Sequence, residues 1–197
     1  MPDDPVSTPL PHFLLLLAVP PPIVAARIEA AWRSIGRRER FRGHTLHMTI
    51  LPLWRRQAAE PELIEAVRAA LAPLSFPAFD LRLDRLTTFG PQRRRTRPLV
   101  LTCSQPHPQA DALAQECWRL LTAAGLGVAC HNVTAHVTLA FGRPLRPDPI
   151  AVPPILWRVD ELRLIDSLQG QGRHLTLGHW QLGAGTSQFT PRSHPCT

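Results

Sequence analysis

The 197-residue chain has no lysine, no tyrosine, two methionines and four cysteines. Each shortage removes a class of chemistry. Without lysine there is no nucleotidyl-lysine intermediate, no Schiff base and no lysine-bearing phosphate loop. Without tyrosine there is no tyrosyl nucleophile. The cysteines make no Cys-x-x-Cys pair. Cys103, Cys117 and Cys130 lie in apolar segments and read as buried thiols, while Cys196 lies in the tail. With no disulfide framework, the expected location is the cytoplasm. Long apolar runs are also missing. Leu14 to Val19 is too short to cross a bilayer. Asp3 and Asp4 precede it where a secretory leader needs basic residues. It reads as a buried first strand, and no membrane partner is expected. No cluster of acids suits a metal, so no cofactor is expected.

What the chain has instead is arginine. All 22 Lys+Arg residues are arginine, against 15 acids, for a net charge of +7. The excess is uneven: +6 over residues 1–100 and +1 over residues 101–197. Two clusters stand out, Arg37-Arg38-Glu39-Arg40-Phe41-Arg42 and Arg93-Arg94-Arg95-Thr96-Arg97. Each reads either as a phosphate-attracting surface or as a solvated loop. The first leads into a histidine-bearing strand, which makes Arg42 a phosphate-binding candidate; arginine offers a bidentate fork.

Nine histidines and 14 threonines in 197 residues give by chance about 0.6 His-x-Thr triplets. The chain has three, at His47, His136 and His174. Context separates them. A helical apolar spacing over 22–35 ends at Gly36, and His47 follows 11 residues later. A second such helix, over 109–124, ends at Gly125, and His136 again follows 11 residues later. His174 has no preceding helix. It follows Gly170-Gln171-Gly172-Arg173 and reads as an edge-strand residue after a hairpin turn.

Along the chain, residues 1–11 read as a disordered N-terminus, 12–182 as a single two-lobed domain and 183–197 as a disordered tail. Strands are expected near 12–19, 45–52, 79–84, 98–103 and 134–142, with a final pair at Trp157–Ile165 and Arg173–Leu182. A third helix is expected over 60–71, with Pro61 and acids in its first turn. Alternating βα units with inserted hairpins indicate an α+β or α/β fold of two similar lobes.

Residues two apart on a strand share a face. His47 and Thr49 therefore oppose Leu46, Met48 and Ile50, and His136 and Thr138 oppose Val137, Leu139 and Phe141. Two such strands can bracket one phosphate. An imidazole titrates near 6.5, so one can be neutral while the other is protonated, giving a general base and a general acid. Thr49 and Thr138 would donate to the non-bridging oxygens. Other readings stay open. Each histidine could be a packed core residue. His44, His47, His131 and His136 could hold a metal, although His44 and His47 fall on opposite strand faces and no carboxylate sits nearby. The chain could also bind RNA without chemistry.

The paired Leu46-His47-Met48-Thr49 and His136-Val137-Thr138-Leu139 strands stand 89 residues apart. With the opening strand and helix, Leu86 to Gly90 before a hairpin, and Trp157-x-Val159 through Leu164 to Ser167, they resemble the 2H phosphoesterases. Within these the chain resembles the bacterial 2′-5′ RNA ligase-like branch, the RNA 2′,3′-cyclic phosphodiesterases. The resemblance covers most of residues 12–182. It implies a bilobal α+β fold, with two pseudo-symmetric lobes of antiparallel sheet and outer helices around a central cleft. It implies catalytic His47 and His136, opening of a 2′,3′-cyclic phosphate on RNA to a 2′-phosphate, and reversible ATP-independent 2′-5′ joining by a monomer. It favours His47 as the acid. Small cyclic nucleotides and 2′-5′ oligonucleotides fit the same chemistry. Two departures stand out. Leu51-Pro52-Leu53-Trp54 replaces the usual Phe-Leu-Gly, and Phe141 stands where an arginine often clamps phosphate. Arg143 is the candidate replacement, and Trp54 and Phe141 are candidates for stacking on a base.

Overall fold

Proline opens all three helices of the computed structural model, which describes residues 12–130 and 132–183. These are α1 (Pro22–Ser34), α2 (Pro61–Leu71) and α3 (Pro108–Ala123). Proline suits a first turn because its fixed φ is already helical and its missing N–H has no intrahelical acceptor there. Gly36 and Gly125 follow α1 and α3 at φ 64° and 78°, a left-handed conformation that ends a helix at little cost only for glycine.

Eight strands complete the fold: β1 (His12–Ala18), β2 (Met48–Arg56), β3 (Phe79–Thr88), β4 (Arg97–Thr102), β5 (His136–Gly142), β6 (Ile150–Val159), β7 (Glu161–Leu168) and β8 (Arg173–Gln181). They form two four-stranded antiparallel sheets, ordered β2-β1-β7-β8 and β5-β4-β3-β6. The fold is therefore α+β, with each His-x-Thr strand at the edge of its own sheet. The helices cross over between lobes. α1 precedes β2 yet packs on β6 of the other sheet, and α3 precedes β5 yet packs on β2. This exchange lets one core run through both lobes, from Ile28 and Met48 to Leu81, Val137 and Trp157. Burying each such side chain fully stabilises the fold by ~1.5–3 kcal/mol.

β1 is apolar almost throughout because both of its faces are covered. Leu16 and Ala18 join the main core, while Leu15 and Leu17 meet Ile165 in a separate cluster on the other face.

The expected strand Trp157–Ile165 is two strands in two sheets. Residues up to Val159 belong to β6 and those from Glu161 to β7, with Asp160 between them. β6 itself starts earlier, at Ile150, and contains Pro153 and Pro154. Both prolines are tolerated because β6 is an edge strand, and the β3–β6 register is irregular beside them. The expected disordered ends lie outside the described residues except for Gly183, whose N–H donates to the Phe76 carbonyl at 2.8 Å.

Cys117 is the buried free thiol expected, Cys103 is free but half-buried, and Cys130 is half-buried and disulfide-bonded. Apolar neighbours in sequence do not foretell a bond between sulfurs. No helix among the described residues is long and apolar enough to cross a membrane.

Candidate active site

The two motif strands meet where the sheets adjoin, close enough for the charge of His136 to act on His47. β2 and β5 lie side by side at the junction of the sheets, and the Arg42 N–H donates to the Leu139 carbonyl across it at 2.8 Å. The core-facing residues are those the alternation predicted: Leu46, Met48, Ile50, Val137 and Leu139 are all buried. His47, Thr49, His136 and Thr138 are half-buried on the opposite face.

Each strand carries a β-bulge at the same place. Leu16 faces Leu51 and Leu17 faces Thr49, so Ile50 is the extra residue in β2. Leu99 faces Ala140 and Val100 faces Thr138, so Leu139 is the extra residue in β5. In both strands the bulge follows the motif threonine directly. Such an insertion reverses the facing of everything beyond it. This corrects the expectation for Phe141, which does not join the core face. It is 50% exposed, and the Arg42 guanidinium lies 5.4 Å from its ring centre.

Both histidines are anchored alike. His47 Nδ1–H donates to the Thr45 carbonyl at 2.8 Å, and His136 Nδ1–H donates to the Thr134 carbonyl at 2.7 Å. Each bond fixes the tautomer and leaves Nε2 as the reactive nitrogen. The repeated unit is thus Thr-x-His-x-Thr, a longer match than the His-x-Thr triplet, and one that His174 does not share. Among the described residues, neither the Thr49 nor the Thr138 hydroxyl makes a hydrogen bond within the protein.

His174 is nevertheless part of the site. Its ring meets that of His47 edge to face at 5.1 Å. The β7–β8 ladder pairs His174 with Ser167, which pairs with Phe13, whereas His47 lies beyond the Ala18–Met48 pair at the other end of β1. The sheet must therefore curl until diagonally opposite corners meet, as twisted antiparallel sheets do. The second sheet repeats this, bringing the Phe89 ring from beyond the end of β3 to 4.9 Å from His136. Sequence spacing sees strands but not their curl, which is why it reads His174 only as an edge-strand residue and gives Phe89 no role at the site.

The electrostatics differ between the two histidines. Burial pushes His47 down to about 4, and the neighbouring charges of His174, Arg42 and His136 add to that, partly offset by the Thr45 carbonyl. Burial also lowers His136, offset by the Thr134 carbonyl, with no cation contributing. His174 is lowered by burial and then by Arg42 and His44.

The other candidates separate clearly. Arg42 reaches the cleft: its charge acts on both His47 and His174, and among the described residues it has no acidic partner. Its Nε is buried without a hydrogen bond to any of the described residues. Together with Arg40, His44 and Phe141 it lines a hollow of about 310 Å³ closed by Gly170–Gly172. Arg143 lies instead in a separate hollow beside Arg93–Arg95. Trp54 packs against the core and donates its indole N–H to the Gly127 carbonyl at 3.0 Å. That contact accounts for it as a packing residue. Among the described residues no three His, Cys, Asp or Glu side chains converge as metal ligands, and His131 lies outside those residues.

Two adjoining edge strands, each with an anchored histidine and a threonine hydroxyl unengaged among the described residues, define a two-histidine phosphoesterase arrangement. The 2′-5′ RNA ligase superfamily model matches residues 19–171, and the chain belongs to that family, which makes its activity that of a phosphodiesterase. Among solved structures it is similar to Escherichia coli LigT complexed with 3′-AMP, at 22% identity and a TM-score of 0.67 over 87% of this chain and 98% of that one. It is also similar to TT0787 of Thermus thermophilus, at 23% identity and a TM-score of 0.61 over 86% and 97%. Both likenesses bear on the fold. No curated protein matches.

Proposed function

We propose that the chain is an RNA 2′,3′-cyclic phosphodiesterase in which His47 and His136 exchange protons across one phosphate. The observation that carries this reading is the matched anchoring of the two rings. Each Nδ1–H is held by the carbonyl two residues upstream, so each Nε2 is free for the cleft.

Charge favours His47 as the base in hydrolysis. Burial first, and then the charges of His174, Arg42 and His136, hold His47 down at about 4, whereas His136 is lowered by burial with no neighbouring charge contributing. This reverses the roles that the family resemblance implies. Water attacks phosphorus as its proton passes to His47 Nε2. The P–O3′ bond breaks, and O3′ takes a proton from His136 Nε2. The products are a 2′-phosphate and a 3′-hydroxyl. A 5′-hydroxyl in place of water would give a 2′-5′ linkage without ATP, since one P–O bond is exchanged for another. Thr49, Thr138 and Arg42 would hold the non-bridging oxygens as negative charge grows there. Each proton transfer contributes about 10²–10⁴ in rate.

The test is turnover of an RNA bearing a 2′,3′-cyclic phosphate in the presence of EDTA. Turnover with a 2′-phosphate product, and its loss in both His47→Ala and His136→Ala, is expected. Full activity in both variants, or activity in EDTA restored only by zinc, would overturn the reading.

A further inference from the structure

Arg37 of the first arginine cluster and Arg93–Arg95 of the second, more than fifty residues apart in sequence, line one hollow away from the paired histidines. A cavity of about 580 Å³ is lined by Arg37, Arg93, Arg94, Arg95, Arg143 and Arg146. Arg37 is neutralised by Glu39 and donates to the Arg143 carbonyl at 2.8 Å. Glu39 in turn fills the space that a side chain at Gly142 would occupy. Arg97 turns inward and donates to the carbonyls of Thr88, Phe89 and Gly90, pinning the turn that carries its neighbours. The other five arginines at the hollow make no ion pair among the described residues. Gathering like charges around one hollow opposes folding through self-repulsion. A polyanion seated there relieves that cost and gains entropy from released counterions.

The hollow is joined to the cleft by a single strand. β5 begins at His136 and ends at Gly142, directly before Arg143. Its seven residues span about 20 Å at ~3.3 Å each. Stacked nucleotides rise ~3.4 Å each, so about six of them cover that distance. A 2′,3′-cyclic phosphate terminates a strand, so the rest of the RNA can leave the cleft only on its 5′ side.

We infer that this hollow holds the phosphate backbone of the RNA about six nucleotides upstream of the reacting end, which makes the substrate an oligonucleotide rather than a mononucleotide. The inference rests on the RNA phosphodiesterase reading. Flexible arginines on an exposed turn suit a sequence-independent contact, in which phosphates set position and bases are not read.

The experiment compares the wild type with the triple variant Arg93→Gln, Arg94→Gln, Arg95→Gln. All three residues are exposed, and the variant leaves Arg97 and the cleft untouched. Substrates are RNAs of two to twelve nucleotides ending in a 2′,3′-cyclic phosphate, with binding followed by fluorescence anisotropy across a salt series. For the wild type, kcat/KM should rise as length passes about six. The variant should match the wild type on the dinucleotide and lose the rise. Its log Kd against log salt slope on the dodecamer should fall by about 2, from three phosphate contacts at ~0.7 each on a single strand. Turnover of the dinucleotide with no length dependence in the wild type would overturn the inference alone, as would an unchanged slope in the variant. No turnover at any length would count against the catalytic reading, and the anisotropy slopes would then decide the hollow separately.

Discussion

His174 and His47 meet edge to face at 5.1 Å although the β-ladder sets them at opposite ends of their sheet. A second cationic ring beside a buried imidazole makes protonation of that imidazole harder. Replacing His174 by Phe keeps a ring in the contact and removes the charge. The pKa of His47 should then rise from about 4 but stay short of its ordinary value, because burial is the larger cause and remains. If His47 is the base, the acid limb of the kcat/KM profile moves to higher pH in His174→Phe. A limb that does not move would show that His174 only packs.

How far the sequence reached follows from which interactions are local. His47, Thr49, His136 and Thr138 were legible because strand alternation and a repeated helix-glycine-strand unit are local patterns, and burial follows them. Phe141 was misplaced because one bulged residue, Leu139, reverses the facing beyond it, and no residue type announces a bulge. His174 was set aside because its contact with His47 depends on the curl of a whole sheet. The convergence of Arg93–Arg95 with Arg143 depends likewise on how β4 and β5 end together.

Stability should fall in acid in a way that His47 controls. Its folded-state pKa of about 4 lies below the unfolded value near 6.5. Between those limits the unfolded chain binds the extra proton, so stability is fully present above about 6.5 and is lost as pH falls towards 4. The shift corresponds to about 3 kcal/mol. His136 and His174 are shifted in the same direction and add to it. Urea midpoints at pH 7 and pH 4.5 should separate less in His47→Asn than in the wild type. Equal separations would mean that His47 is not buried in its neutral form.

The threonine hydroxyls offer a cleaner probe of chemistry than the histidines. Thr49→Val and Thr138→Val keep shape and strand preference and remove one donor each. If both hydroxyls bind the non-bridging oxygens, each variant should lose on the order of 10²-fold in kcat with the melting temperature unchanged. Because the two bulges place the threonines equivalently, the two losses should be similar. Wild-type kcat in either variant would remove that residue from the site.

Behind the first sheet, Asp166 is 1% exposed and accepts from His12 Nδ1 at 2.5 Å, while its second oxygen has no hydrogen-bond partner among the described residues. Breaking one side of a buried pair leaves an uncompensated charge, which costs about 3–5 kcal/mol. His12→Leu should lose stability of that order in urea titration at pH 7. Adding Asp166→Leu should restore much of it, since an apolar pair of similar size needs no partner. A double variant no more stable than the single would show that Asp166 is satisfied from elsewhere.

The assignment of acid and base turns on the leaving group. A substrate with sulfur in place of O3′ departs as a thiolate, whose conjugate acid titrates near 8.5 in cysteine and so needs little help from a proton donor. The variant lacking the acid should recover on this substrate, and the variant lacking the base should not. With His47 held neutral by burial first and then by His174 and Arg42, recovery is expected in His136→Asn. Recovery in His47→Asn instead would restore the roles implied by the family. It would also mean that phosphate binding reverses the order of the two pKa values, which is physically reasonable only if the phosphate's charge outweighs those two cations at His47.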